Sequence, residues 1–199
     1  PALVYLYKKI MTIDKANVYG GKDLFHFPLL VKITGHTELK SVSNGGHVES
    51  EDGYDILFTD KYGRKIDHEI ENYDPTSGDY TAWLKVTVLS VSENTEITMH
   101  YGKTGVNTDP STENTWNNAY SGVWHMENAE DATSNSNDGT LIHSPGSGTG
   151  RIGGSLDFDG SNDYITIDDD PTLDLSTAIT VSAWINPDVL NSYTRVAVK

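Results

Sequence analysis

The chain contains no cysteine, so disulfides, thiolate metal sites and a cysteine nucleophile are excluded, and cysteine pairing says nothing about redox compartment. No Asn-x-Ser/Thr sequon occurs, which leaves N-linked glycosylation without an acceptor. No apolar run approaches a membrane span, so helical membrane insertion is not expected. The chain opens at Pro1 with neither an initiator Met nor a signal-peptide pattern, and a processed or engineered start is expected. Positive charge is scarce: 14 Lys and Arg stand against 29 Asp and Glu, a formal charge of −15. Such a field repels nucleic acid and anionic membrane and attracts cations, so a nucleic-acid partner is excluded.

Catalytic signatures are equally sparse. The Glu-x-Asp-x-Glu pattern that holds the two carboxylates of concanavalin-like glycosidases is missing, as is a Gly-x-Ser-x-Gly elbow. His68 and Glu69 lack the second His of a zinc-protease motif. Glu69 and Glu71 fall on the same face of a strand, where close carboxylates need a cation or a shared proton to coexist. A solvated sheet face is the reading adopted for them. The seven His are scattered without metal-site spacing. The expectation is a protein that is not an enzyme.

What is present is globular: 199 residues, 36% hydrophobic and 10% aromatic, with 18 Gly, enough to bury a sizeable core. Period-2 alternation dominates and no helical stripe emerges. Residues 5–13, 28–33 and 55–59 read as strands, and Asp60-Lys61-Tyr62-Gly63 reads as a turn leading to a hairpin partner over 64–71. In residues 81–91, Ala82, Leu84, Val86 and Val88 share one face and Trp83, Lys85 and Thr87 the other. Ile97, Met99 and Tyr101 point inward from residues 96–101. The chain then turns polar and rich in Asn and Thr, which sets a division into a domain over 1–118 and a second over 119–199. Further strands are expected at 123–126, 155–158, 164–167 and 179–185, and residues 128–154 are expected to form a long polar loop.

Asp52-Gly53-Tyr54-Asp55-Ile56-Leu57-Phe58-Thr59-Asp60, then His68-Glu69-Ile70-Glu71-Asn72-Tyr73, Ala82-Trp83-Leu84-Lys85-Val86 and Met99-His100-Tyr101-Gly102 follow one another in order. In this they resemble an uncharacterised secreted domain that precedes laminin-G/concanavalin-like modules in bacterial and archaeal surface proteins. That resemblance, over roughly residues 5–125, implies an extracellular or cell-surface location but no activity. Val123-Trp124-His125-Met126, the stretch 131–141, residues 153–165 and Thr180-Val181-Ser182-Ala183-Trp184-Ile185 resemble the opening strands of a laminin-G/concanavalin-A-like jelly roll. The fold expected is therefore all-β: an antiparallel, jelly-roll-like β-sandwich followed by a partial concanavalin/laminin-G-like sandwich.

A partial sandwich exposes an apolar face and unpaired backbone, both costly in water. Three resolutions stand open: a fragment, a strand donated by another copy or by a neighbouring chain, or a smaller closed fold in which the second part packs on the first.

Asp131, Asn135, Asn137 and Asp138 supply hard oxygen ligands close together, as Ca²⁺ requires, and the laminin-G resemblance places Ca²⁺ beside such a loop. The alternative is a polar loop whose Asn and Asp form turns. Trp124 and Trp184 match buried strands and read as structural. Trp116, in a polar stretch, is the candidate for an exposed contact, since sugar faces stack on aromatic rings. These observations point to a structural or adhesion protein, in one form a filament subunit completed by strand exchange. The alternative is a glycan-binding accessory module of a larger secreted polysaccharide-degrading enzyme.

Overall fold

Alternation of apolar and polar residues becomes two facing antiparallel sheets. A computed structural model describes residues 4–116, 120–189 and 196–198. Its strands are β1 (Tyr7–Ile13), β2 (Leu24–Ile33), β3 (Leu57–Asp60), β4 (Lys65–Ile66), β5 (His68–Asp74), β6 (Asp79–Leu89) and β7 (Thr95–Tyr101). They continue as β8 (Gly139–Ile142), β9 (Gly146–Thr149), β10 (Gly154–Asp157) and β11 (Tyr164–Ile167). Among the described residues the helical elements are short 3-10 turns, and no helix is long and apolar enough to cross a membrane. One sheet has the order β1-β7-β3-β4 and the other β2-β6-β5.

The core lies between them. Phe58, Ile66, Ile97, Met99 and Tyr101 of the first sheet meet Tyr80, Ala82, Leu84 and Val86 of the second, all buried. The Phe58 ring centroid lies 5.2 Å from that of His68 and 6.1 Å from that of Tyr80. Each large apolar side chain so buried contributes on the order of 1.5–3 kcal/mol. The Asp60–Gly63 turn forms as its residues predict. Asp60 Oδ1 accepts from the backbone N–H groups of Tyr62 and Arg64, and Gly63 takes the left-handed φ of 78°. Gly78, which closes the β5–β6 connection at φ 75°, could not be replaced without strain, because a Cβ there would meet the His36 carbonyl oxygen at 2.1 Å.

Asp55 fastens one end of the sandwich. Its side chain is fully buried, and its carboxylate accepts from four backbone N–H groups: Glu49 (3.0 Å), Ser50 (2.9 Å), Gly102 (2.9 Å) and Lys103 (3.1 Å). The carboxylate thereby joins the loop before β3 to the exit of β7 and satisfies donors that would otherwise be orphaned.

The second part departs from expectation in three places. Residues 128–154, expected to be a loop, contain β8 and β9, which pair with β11 and β10 respectively. Gly146-Ser147-Gly148-Thr149 has no apolar member, so its strand conformation comes from its partner and carries no alternation to read. The strand expected at 123–126 is reduced to a single bridge between Trp124 and Asp131. Residues 179–185 form no strand and are solvent-exposed, without a sheet partner among the described residues. Trp184, read as buried, is therefore 76% exposed.

Candidate functional site

On the outer face of the second sheet, β5 places Glu69 directly across from Trp83 of β6. A register shift between Ile70 and Asn72 makes Glu71 the extra residue of a bulge. The Glu71 carboxylate lies on the outer face with Glu69, as their i, i+2 spacing expects, and its Oε2 accepts from Trp83 Nε1 at 3.0 Å.

The chain returns across this face after β7. Thr112 caps the 3-10 turn Glu113–Thr115 by accepting from Asn114 N, and the turn delivers Trp116 onto the sheet. Trp116 Nε1 donates to Glu69 Oε2. Its ring meets that of Trp83 edge-on with centroids 5.3 Å apart, and Tyr120 and His125 each lie 5.7 Å away. His125 closes the cluster. Its Nδ1 lies 3.0 Å from Glu71 Oε2 and its Nε2 3.3 Å from Glu69 Oε2.

The two glutamates thus have the cation that their proximity demands, and they do not form a solvated face. The Glu71 side chain is 4% exposed, that of Glu69 22% and that of His125 23%. Burial opposes charge on the imidazole, yet the hydrogen bonds and negative charges of Glu69 and Glu71 outweigh it and raise its pKa to about 10. Burial alone would push the Glu71 carboxyl up; the His125 hydrogen bond and charge, with the Trp83 N–H, hold it below the usual carboxylate range. Both ring nitrogens face carboxylates, so the imidazolium has no lone pair for general-base chemistry or for a metal. The cluster is suited to holding two pieces of chain together.

Trp116, the candidate for an exposed contact, is 4% exposed and belongs to this cluster. Its indole is covered by Trp83, Tyr120 and His125. Asp131, Asn135, Asn137 and Asp138 do converge, but as a hydrogen-bonded loop. Asp131 Oδ1 accepts from Val123 N and Thr133 N, and its Oδ2 from Thr133 Oγ1 and Asn137 N. Asp138 Oδ1 accepts from Asp131 N, while the side-chain amides of Asn135 and Asn137 donate to the Ser121 carbonyl. Four internal donors fill the lone-pair sites of the Asp131 carboxylate, which therefore does not fit a Ca²⁺ cage in this arrangement. Among the described residues no group of three or more His, Asp or Glu is placed to hold a metal.

Two participants escaped sequence reasoning. His125 lies more than fifty positions beyond Glu69 and Glu71, and only the demand of two neighbouring carboxylates for a cation hinted at it. Asp55 follows the polar stretch Glu51-Asp52-Gly53 and stands at the head of the apolar run Ile56-Leu57-Phe58, where it read only as the start of a strand.

The fold and the cluster define an all-β protein of two facing antiparallel sheets, with the following chain pinned to the outside of one sheet by an imidazolium and two indoles. Residues 52–140 match the family described as Domain of unknown function (DUF2341). That stretch takes in Asp55, the whole Glu69–Glu71–His125 cluster and the Asp131 loop, and it runs across the division expected after residue 118. No curated protein and no solved structure matches the chain.

Proposed function

We propose that the protein is a structural and adhesive component of an extracellular or cell-surface assembly, acting as a filament subunit that shares strands with its neighbours. The observation that carries this reading is the segment 179–185. Ile179, Val181, Trp184 and Ile185 are exposed large apolar residues in a stretch without a strand partner among the described residues. Together with Ala183, Val196 and Ala197, Val181 and Ile185 border an open pocket of about 380 Å³. Bare apolar strands with unsatisfied backbone pair with whatever strand edge is offered. The extracellular address is supported by the resemblance of residues 5–125 to a secreted domain.

The carbohydrate-binding reading relied on an accessible Trp116, and the burial of that ring weakens it. Light scattering and electron microscopy of the purified chain test the proposal. Ordered polymers that disappear in Val181→Asp are expected; a stable monomer at all concentrations would overturn it.

A further inference from the structure

The sheet edges of the sandwich are not equally open. β5 is covered: Thr112 N donates to the His68 carbonyl at 3.1 Å, and Ile70 N donates to Ser111 Oγ at 3.0 Å. β4 is only two residues long. β2 carries Pro28, which has no N–H, and His26, held at a left-handed φ of 52°; both interrupt the ladder that an incoming strand would need. β1 has neither a Pro nor a left-handed residue, and lysines are its only guard. It ends its sheet, runs seven residues in unbroken register from the Tyr7–Tyr101 pair to the Ile13–Thr95 pair, and contains no Pro or bulge.

The β1 edge also has a distinct chemistry. Leu6 and Ile10 are 67% and 60% exposed, and exposed Lys8 between them makes this row basic in a chain of charge −15, while Lys9 on the opposite face is engaged by His36. Two such edges brought together would oppose lysine to lysine, which disfavours a closed symmetric pair. An acidic-flanked apolar strand would be drawn to the same edge. Segment 179–185 has that character: it is also seven residues long, follows Asp168, Asp169, Asp170 and Asp174, and precedes Asp188, with Arg151 over the Trp184 ring at 5.9 Å as the one cation against it among the described residues.

We propose that segment 179–185 of one copy adds to the outer edge of β1 in a second copy, head to tail. The proposal rests on the strand-sharing reading above and identifies its acceptor. Because donor and acceptor are different surfaces, the contact is heterologous and repeats from copy to copy into a ring or an open filament, whichever the rotation between copies allows. Backbone hydrogen bonds supply the affinity, and the Leu6–Ile10 row with Lys8 supplies selectivity.

The absence of native cysteine permits a direct test. Chains carrying Ile10→Cys are mixed with chains carrying Val181→Cys under mild oxidation, both sites being exposed in the free subunit. A mixed disulfide is expected. Lys8→Glu should weaken association by on the order of tenfold, and Asp174→Lys with Asp188→Lys in the partner chain should restore it. A disulfide formed among Ile10→Cys chains alone would show symmetric edge pairing and overturn the proposal. So would an internal disulfide in a chain carrying both cysteines. Wild-type polymers that persist without the mixed disulfide and ignore the lysine reversal would refute the β1 acceptor while leaving strand sharing intact. A strictly monomeric wild type would remove both.

Discussion

His125 and Glu71 face each other at 3.0 Å across the outer surface of the second sheet, one from the strand bulge and the other from the chain that returns over it. Glu69 accepts the second ring N–H at 3.3 Å. The pair joins residues 54 positions apart in sequence, so it fixes where residues 120–126 lie against β5.

Removing the imidazolium leaves two adjacent carboxylates without a cation. His125→Ala is expected to lower stability by about 2–4 kcal/mol, below the extreme for a fully buried pair because Glu69 is partly in water. Urea unfolding at pH 6 measures it, and His125→Gln should recover only a minor part.

The pH dependence of that loss has a definite shape. His125 has its pKa raised from 6.5 to about 10, so its contribution is complete below pH 6.5 and is lost as pH rises towards 10. Glu71 is lowered from 4.5, so its contribution is complete above that value and is lost as pH falls through the lowered one. The stability difference between wild type and His125→Ala should therefore be greatest between pH 4.5 and 6.5 and shrink on both sides. A flat difference from pH 4 to 10 would contradict the assignment.

His68 behaves in the opposite sense. It is fully buried against Phe58, its Nε2 has no hydrogen-bond partner, and burial lowers its pKa from 6.5 to about 4. The unfolded chain takes up a proton that the folded chain refuses, so this contribution is complete above pH 6.5 and falls as pH drops to about 4, by about 3 kcal/mol. His68→Met should flatten the acid limb of a plot of urea midpoint against pH.

Asp55→Asn preserves shape but turns an amide N–H₂ towards backbone donors. A cost of about 3 kcal/mol is expected from the lost charge-assisted acceptors, read by thermal unfolding. Hydrogen exchange should accelerate selectively at Glu49, Ser50, Gly102 and Lys103.

Calcium provides a further check. With the Asp131 carboxylate saturated by internal donors, adding Ca²⁺ or a chelator should leave the melting temperature unchanged, since only a ligand that prefers the native state raises it. Asp131→Ala should lower stability equally with and without Ca²⁺. A chelator-sensitive melting temperature that becomes insensitive in Asp131→Ala would reinstate the metal site.

Much of the sandwich was legible because half-buried strands write period-2 alternation into the sequence. Ala82, Leu84 and Val86, with Ile97, Met99 and Tyr101, are buried as their spacing predicts. β9 was illegible because its four residues hold no apolar member, and β8 was lost within the polar stretch around it. The shared face of Glu69 and Glu71 was legible too, but their burial was not, because it depends on Trp116 and His125 arriving from a distant segment.

The sequence by itself determined the all-β architecture, the turn at Asp60–Gly63 and the acidic character of the molecule, since these follow from local periodicity, backbone sterics and side-chain counts. Only the tertiary structure decided which charges are paired, that Trp116 is covered while Trp184 is open, and which strand edges are guarded. Those outcomes depend on contacts between residues far apart in the chain, where desolvation and hydrogen bonding override what any residue prefers alone.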